Sequence, residues 1–171
     1  MNVKGYYIDT SLIVARYKPA DELYEHSNRL FQSKDSRLYI SPVTVAELYC
    51  VLSRIRKRLE VPVTEEPILD TLVAFVLKDC NLEVRSKSYY VEKALGGQLI
   101  RMPLEYYIST RVTDRVKLRT LDLFHLSYAW ILRRELKIEG FVTGDEEVLD
   151  KSRAIQETLG IKVLHPKRVL K

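Results

Sequence analysis

Four acidic residues in this chain are far apart in sequence, yet each lies where an α/β protein would direct it to one place. Asp9 ends a short apolar run, and Asp145 closes another near the end of the chain. Asp122 opens a long apolar stretch, and Glu47 lies early in a helix-like segment. Because ligands of open parallel sheets bind beyond the carboxyl ends of the strands, acids at strand ends are expected to converge there.

Clustered carboxylates that lack a cysteine or histidine ligand set favour a hard cation such as Mg²⁺ or Mn²⁺. Two carboxylates about 5 Å apart repel by roughly 3 kcal/mol at an effective dielectric near 20. Four of them in one cleft therefore need protons or a divalent cation. In two-metal sites one ion activates water while the other stabilises the leaving oxygen. This chemistry needs no protein nucleophile, so metal-dependent phosphodiester chemistry is the first hypothesis.

Two of the acids also have a plainer explanation. The stretch 123–136 is apolar on nearly all sides, which predicts a buried helix. The helix dipole favours an ionised acid such as Asp122 in the first turn, whether or not it binds a metal. Glu47 shares one edge of its predicted helix with Arg54 and Arg58, and the same spacing describes a solvated charged flank.

Neighbouring residues leave two points open. Glu146 and Glu147 follow Asp145 directly, so the fourth acidic role can be shared or shifted. His125 lies one helical turn after Asp122; its ring either reaches the cleft or is satisfied in the protein interior. The three histidines are too dispersed for a zinc motif.

Strands alternate with helices along the chain, which indicates an α/β fold with a doubly wound parallel sheet. The first strand is followed by a turn in which Thr10 or Ser11 can cap the next helix, and Ser41-Pro42 is a typical helix start. Thr64 is expected to cap the helix after that. Strands are predicted over 3–8, 37–40, 81–84, 138–143 and 162–164. Further helical segments are predicted over 19–33, 42–59, 65–78, 103–117 and 123–136, and over 86–100 until Gly96-Gly97. The segment 145–159 is expected to be helical or a turn.

Composition describes a soluble globular protein: of 171 residues, 46% are apolar and 30% charged. One domain over 1–171 is the simplest organisation. No segment is apolar for long enough to span a bilayer, and Asp9 comes too early for a secretory signal, so the cytoplasm is the expected location. The net charge of +5 is compatible with a polyanionic partner. Cys50 and Cys80 form no CxxC pattern and are predicted to be reduced, buried thiols.

Four motifs in this order resemble those of PIN domains, and most closely those of the VapC-type ribonuclease toxins of prokaryotic toxin–antitoxin pairs. The resemblance covers most of the chain, from Tyr6 to Asp145. The motifs are Tyr7-Ile8-Asp9-Thr10-Ser11, Val43-Thr44-Val45-Ala46-Glu47-Leu48, Asp122-Leu123-Phe124-His125-Leu126-Ser127-Tyr128-Ala129 and Phe141-Val142-Thr143-Gly144-Asp145.

The resemblance implies a three-layer α/β/α fold with a central parallel sheet, and a Mg²⁺- or Mn²⁺-dependent endoribonuclease. It further implies that the four acids hold the ions, that a metal-bound water attacks the phosphodiester, and that the hydroxyls of Thr10, Ser11 and Thr143 orient the site. Homodimers and inhibition by a small antitoxin are common in the family. The helical middle section expected at about 61–119 is longer than in compact VapC toxins.

Other functions remain open from the sequence. A PIN-like scaffold can bind RNA or a protein without cutting. A haloacid-dehalogenase phosphatase also places an aspartate after its first strand, but it needs a second one where this chain has Ser11. If RNA is the substrate, Arg54 and Arg58 are candidate contacts. Further basic candidates, each equally readable as part of a solvated helix face, are Arg56, Lys57, Arg111, Arg115, Lys117 and Arg119.

Overall fold

A computed structural model describes residues 3–55 and 69–169. Its strands are β1 (Lys4–Ile8), β2 (Ser36–Ile40), β3 (Leu82–Val84), β4 (Tyr90–Leu95), β5 (Gln98–Pro103), β6 (Gly140–Val142) and β7 (Val163–Leu164). Five of them form a central parallel sheet in the order β3-β2-β1-β6-β7, and β4 and β5 form a separate antiparallel hairpin.

The helices connect these strands and cover the sheet. Those in the described ranges are α1 (Thr10–Ala15), α2 (Tyr24–Gln32), α3 (Pro42–Ile55), α4 (Leu69–Asp79), α5 (Leu104–Val116), α6 (Thr120–Leu136), α7 (Glu146–Asp150) and α8 (Ser152–Leu159), followed by a 3-10 turn over Pro166–Arg168. Among them, no helix is both long enough and apolar enough to cross a membrane.

Alternation along the strands divides the core into two halves. Successive strand side chains point to opposite faces of a sheet. Tyr6 and Ile8 accordingly pack in one cluster with residues of α1 to α4. Tyr7 packs in the other with residues of α5, α6 and α8, and Phe141 of β6 joins it there. This arrangement confirms the expected three-layer α/β/α fold with a central parallel sheet.

The carboxyl ends of β1 and β6 meet at one edge of the sheet. Ile8 is in register with Val142, and the Asp9 amide donates a hydrogen bond to the Val142 carbonyl at 3.0 Å. Asp9 and Thr143, which directly follow these strands, are therefore neighbours. The predicted helix start at Ser41-Pro42 is also confirmed, because the Ser41 hydroxyl accepts the Thr44 amide at 3.4 Å.

The prediction of a helix over 86–100 is wrong, because residues 90–103 form the β4–β5 hairpin. Gly96 and Gly97 both have positive φ, 57° and 77°, so they close a tight hairpin turn and do not end a helix. The middle section 61–119 is thus only partly helical where it is described. The cap predicted at Thr64 and the end of the helix predicted to reach position 59 lie outside the described residues.

Two smaller expectations are also corrected. Cys80 is buried as predicted, but Cys50 is exposed. Cys50 comes two residues after the buried Leu48, and at about 100° per residue that places it on the outer side of α3. The N-cap of α1 is Asp9 and neither Thr10 nor Ser11, because the two hydroxyls bond to carboxylates instead.

Candidate functional site

All four acids singled out in the sequence line one cavity of about 300 Å³. Asp9 enters from the end of β1, and Glu47 from α3. Asp122 lies in the first turn of α6, and Asp145 is the N-cap of α7. The remaining lining residues include Thr10, Ser11, Val14, Lys18, Asp21, Leu23 and Val51.

Two hydroxyls hold the Asp9 carboxylate. Ser11 Oγ donates to Asp9 Oδ2 at 2.8 Å, and Thr143 Oγ1 donates to the same oxygen at 2.6 Å. Thr143 is fully buried, and its hydroxyl also accepts the Asp145 amide at 3.0 Å. One threonine therefore ties the first acid to the fourth, which are 136 positions apart in the chain.

Glu47 is held through one carboxylate oxygen. Thr10 Oγ1 donates to Glu47 Oε2, and His125 Nε2 lies 3.0 Å from the same atom. Burial by itself raises the pKa of Glu47, but the hydrogen bonds from His125 and Thr10 and the charge of His125 outweigh it and lower that pKa. Glu47 is therefore ionised where it meets the cavity.

Behind Glu47, the structure reveals a buried polar network. His125 is 1% exposed, and its Nδ1 atom lies 2.9 Å from the Tyr7 hydroxyl. That hydroxyl also contacts Ser41 Oγ at 2.7 Å and Thr44 Oγ1 at 3.1 Å. Burial alone lowers the pKa of His125, whereas Tyr7, the hydrogen bond to Glu47 and the charge of Asp9 raise it, and the balance is a raised pKa.

Sequence reasoning left the role of His125 open and did not connect it to Tyr7, Ser41 or Thr44. Tyr7 has the pattern of an ordinary buried strand residue. Its hydroxyl partners lie 34, 37 and 118 positions away, so local spacing carries no signal for them. The one available signal is that a buried tyrosine hydroxyl usually has a partner.

Negative charge is concentrated around Asp122. Burial, the largest cause, and the nearby charges of Asp145 and Asp9 together raise its pKa to about 6. Asp145 Oδ1 accepts the amides of Glu147 and Val148 at 2.8 and 3.3 Å, which fixes this carboxyl group at the start of α7. The cavity thus collects carboxylates whose mutual repulsion a cation would relieve.

The donor atoms of this cavity fit a divalent cation. Ligand atoms of Asp9, Glu47 and His125 lie within 4.8 Å of one another. Both ring nitrogens of His125 are engaged, however, with Glu47 and Tyr7, so the imidazole supports a carboxylate better than it serves as a ligand. The hydrogen bonds described above end on Asp9 Oδ2 and Glu47 Oε2, and within residues 3–55 and 69–169 no hydrogen bond ends on the second oxygen of either carboxylate. Oxygen donors of this kind suit Mg²⁺ or Mn²⁺.

Other predicted site residues lie elsewhere. Glu146 and Glu147 are exposed and are not among the lining residues; Glu147 instead lies 3.6 Å from Arg119. Arg54 is exposed, and its Nε donates to the Cys50 carbonyl at 3.0 Å. Arg58, with Arg56 and Lys57, lies outside the described residues. The side chains of Arg111, Arg115, Lys117 and Arg119 are exposed.

Comparison with known proteins gives a family and a set of similar folds. The family model described as the PIN domain matches residues 6–155. No curated protein matches the chain significantly. Among solved structures, VapBC2 of Rickettsia felis, bound to a DNA fragment from their promoter, is 13% identical with a TM-score of 0.56, and the match covers 94% of this chain and 98% of that one.

Two further structures are similar. VapC20 of Mycobacterium tuberculosis, a sarcin–ricin loop cleaving toxin, is 15% identical with a TM-score of 0.53, over 85% of this chain and 93% of that one. VapBC-1 of nontypeable Haemophilus influenzae is 12% identical with a TM-score of 0.54, over 96% and 99%. At these identities the likeness concerns the fold.

Proposed function

This chain belongs to the PIN domain family, and on that premise we propose that it is a Mg²⁺- or Mn²⁺-dependent endoribonuclease, the toxin of a type II toxin–antitoxin pair. The observation that carries the proposal is the convergence of Asp9, Glu47, Asp122 and Asp145 on one cavity. Burial and the charges of Asp145 and Asp9 raise the pKa of Asp122 to about 6, as expected where several carboxylates gather in one cavity.

In this proposal the four acids hold the ion or ions. A bound divalent cation supplies a nucleophile at neutral pH and stabilises the leaving oxygen of the phosphodiester. Ser11 and Thr143 fix Asp9 through Oδ2, and Thr10 and His125 fix Glu47 through Oε2. Such preorganisation holds the donors in place before substrate arrives.

Basic residues supply the RNA contacts in this proposal. Lys18 lines the cavity itself and can approach a phosphate there. Arg54 lies on α3 seven residues after Glu47, on the same side of the helix. Arg58 is a second candidate RNA contact, proposed from its spacing in the sequence alone. Phosphate contacts of this kind position a backbone without reading its sequence.

The partners are part of the same proposal. Similarity to the VapBC proteins of Rickettsia felis and Haemophilus influenzae supports a small VapB-like antitoxin as the inhibitor of this chain. A homodimer is the expected state, as the family resemblance implies, and the cytoplasm is the location expected from the sequence.

Cleavage of RNA tests the proposal. Structured and single-stranded RNA are incubated with the parent, with Asp9→Asn and with Asp114→Asn, in Mg²⁺, in Mn²⁺ and in EDTA. Asp114 is an exposed aspartate on α5 and serves as the matched control. We expect metal-dependent cleavage by the parent and Asp114→Asn, and a loss of about 100-fold or more in Asp9→Asn. Equal, metal-independent cleavage by all three would reject the nuclease. Binding of RNA without cleavage would identify a PIN-like binding module instead.

A further inference from the structure

A second cavity, of about 420 Å³, lies at the end of β7 and is distinct from the acidic cavity that the four acids line. Its lining residues are Leu149, Ser152, Val163, His165, Lys167 and Arg168. Within residues 3–55 and 69–169, no carboxylate lines this second cavity, whereas aspartates and a glutamate line the acidic one. The two cavities are therefore opposite in charge, and we call the second one the basic cavity.

His165 contributes a hydrogen-bond donor to the basic cavity even when its ring is uncharged. Its Nδ1 atom caps the 3-10 turn that follows and accepts the Lys167 amide at 3.2 Å. A ring nitrogen that accepts carries no proton, so the proton of the neutral imidazole is on Nε2. The cap thus fixes the tautomer and leaves an N–H group for a ligand.

Positive charge accumulates around this histidine. The ring of His26 on α2 packs edge-on against the ring of His165, with the centroids 6.1 Å apart. Burial, followed by the charges of Lys167, His26 and Arg168, lowers the pKa of His165. Burial and basic neighbours also lower the pKa of His26, although Glu25 beside it acts in the opposite direction. A bound anion would relieve this repulsion, as a cation would in the acidic cavity.

The basic cavity lies at the same edge of the sheet as the acids. Val142 of β6 is in register with Leu164 of β7, and the Thr143 amide donates to the Leu164 carbonyl at 3.1 Å. His165 directly follows Leu164, so it lies one strand away from Thr143, which holds Asp9. Neighbouring strands are about 5 Å apart.

Helix α7 joins the two cavities directly. Asp145, its N-cap, lines the acidic cavity, and Leu149, which lines the basic cavity, donates its amide to the Asp145 carbonyl at 3.0 Å. Four residues of helix rise about 6 Å. Successive phosphates of one strand are about 3.4 Å apart along the axis of a duplex. A strand whose cleaved phosphate lies at the acids can therefore place another phosphate, about two or three nucleotides away, in the basic cavity.

We propose that the basic cavity binds a backbone phosphate of the RNA substrate through Lys167, Arg168 and the Nε2–H group of His165. This inference deepens the proposed function and rests on it for the kind of ligand. Hydrogen bonds from charged donors to phosphate are the stronger kind. Because a phosphate carries no sequence information, the cavity would fix the register of the strand on the acids without reading a base.

Anisotropy of a labelled, unstructured RNA of about 12 nucleotides without terminal phosphates, measured in EDTA so that binding is separated from cleavage, tests this proposal. Lys167→Gln and Arg168→Gln are each expected to weaken binding about tenfold and to lower the salt slope by about 1. Lys167→Arg keeps the charge and should stay within about threefold. The control Lys162→Gln removes the same charge from an exposed residue directly before β7 and should stay within about twofold.

His165→Asn tests the imidazole donor separately from the cap. The asparagine oxygen can accept the Lys167 amide, but its side chain is too short to place a donor where Nε2 lies. RNA binding is expected to weaken about fivefold with the melting temperature unchanged. In cleavage assays Lys167→Gln should raise KM and leave kcat within about twofold, because it removes binding and no acid.

The outcomes separate this inference from the nuclease itself. Equal RNA affinity of Lys167→Gln, Arg168→Gln and the control would overturn it, whether or not the parent cuts RNA, and so would no measurable binding by the parent. An effect of Lys167→Gln confined to a probe with a 5′-phosphate would assign the cavity to a strand end and overturn the backbone contact. A parent that binds RNA through Lys167 but does not cut it with Mn²⁺ would reject the nuclease and leave the basic cavity intact.

Discussion

The Nε2 atom of His125 lies 3.0 Å from the Oε2 atom of Glu47, although the two residues are 78 positions apart in the chain. The other ring nitrogen of His125 lies 2.9 Å from the Tyr7 hydroxyl, so the imidazole cannot turn away from the carboxylate without losing a second buried contact. His125 and Tyr7, which do not line the cavity, therefore hold the Glu47 carboxylate in place at its wall.

Loss of this support is expected to weaken metal binding. His125→Gln should raise the Mn²⁺ concentration needed for half-maximal thermal stabilisation by about tenfold, because outer-shell partners orient the ligands of a metal. Tyr7→Phe should shift it in the same direction and by less. A thermal-shift titration with Mn²⁺ measures both.

Tyr128→Phe is the matched control for this experiment. Its hydroxyl is also buried and donates to Glu105 Oε1 at 2.9 Å, but neither residue lines the cavity. It should lose stability without a change in the Mn²⁺ midpoint. Equal midpoints for Tyr7→Phe, His125→Gln and the parent would show that the network only fills the core.

Asp122→Asn is expected to stabilise the protein in the absence of divalent cations. The pKa of Asp122 is raised from 3.8 to about 6, so the folded protein holds this proton more tightly than the unfolded chain does. Stability therefore falls as pH rises from about 4 to 6 and stays lowered above that. In EDTA at about pH 7.5 the variant should melt about 2–4 °C higher than the parent, and near pH 4 the two should coincide.

Mn²⁺ provides the complementary measurement for Asp122. The cation should stabilise the parent more than the variant, because the repulsion that destabilises the parent is what the cation relieves. A parent that melts above Asp122→Asn at about pH 7.5 in EDTA would contradict this reading of the cavity.

Thr143→Val should destabilise the fold by about 1–3 kcal/mol, because the buried Thr143 hydroxyl accepts the Asp145 amide and donates to Asp9, and valine can do neither. Valine keeps the shape of threonine, so packing changes little. Urea unfolding measures the difference. Thr113→Val is the control: its hydroxyl donates to the Ser109 carbonyl at 2.7 Å, but the residue is exposed, and its cost should stay within about 0.5 kcal/mol.

The two cysteines should differ in reactivity. Burial raises the pKa of the Cys80 thiol to about 12, and the thiolate is the reactive form. Cys50 is exposed on α3. A thiol reagent at neutral pH should label the native protein once, and Cys50→Ser should abolish that label while Cys80→Ser retains it. Two labels on the native parent would show that Cys80 is accessible.

The sheet and the acidic cluster could be predicted from the sequence because each leaves a local signal. Short apolar runs marked β1, β2 and β6. Acids close behind the first and the last of these runs gave the positions of Asp9 and Asp145. The convergence of these acids followed from the rule that parallel strands present their carboxyl ends at one edge. Glu47 and Asp122 required only that helix starts lie at the same edge.

The hairpin and the polar network could not be predicted in the same way. Tyr89, Tyr90, Val91, Leu95 and Leu99 are spaced closely enough to imitate a helical stripe, and only the paired positive φ angles of the two glycines decide for a hairpin. The partners of Tyr7 depend on how α3 and α6 pack against β1, which is a property of the tertiary structure. Local patterns predict elements and the residues at their ends, but not long-range hydrogen bonds.

The position of β6 between β1 and β7 has a consequence for the newly made protein. Thr143, which holds Asp9, and Asp145 both follow β6, so a chain still growing on the ribosome has its first acid long before its last. Domains are synthesised at about 5–20 residues per second, which makes this interval about 7–27 s. A nascent chain that has not yet reached Asp145 therefore cannot assemble the four-acid cavity, and the cell's translation machinery meets the proposed nuclease only after synthesis has passed that residue.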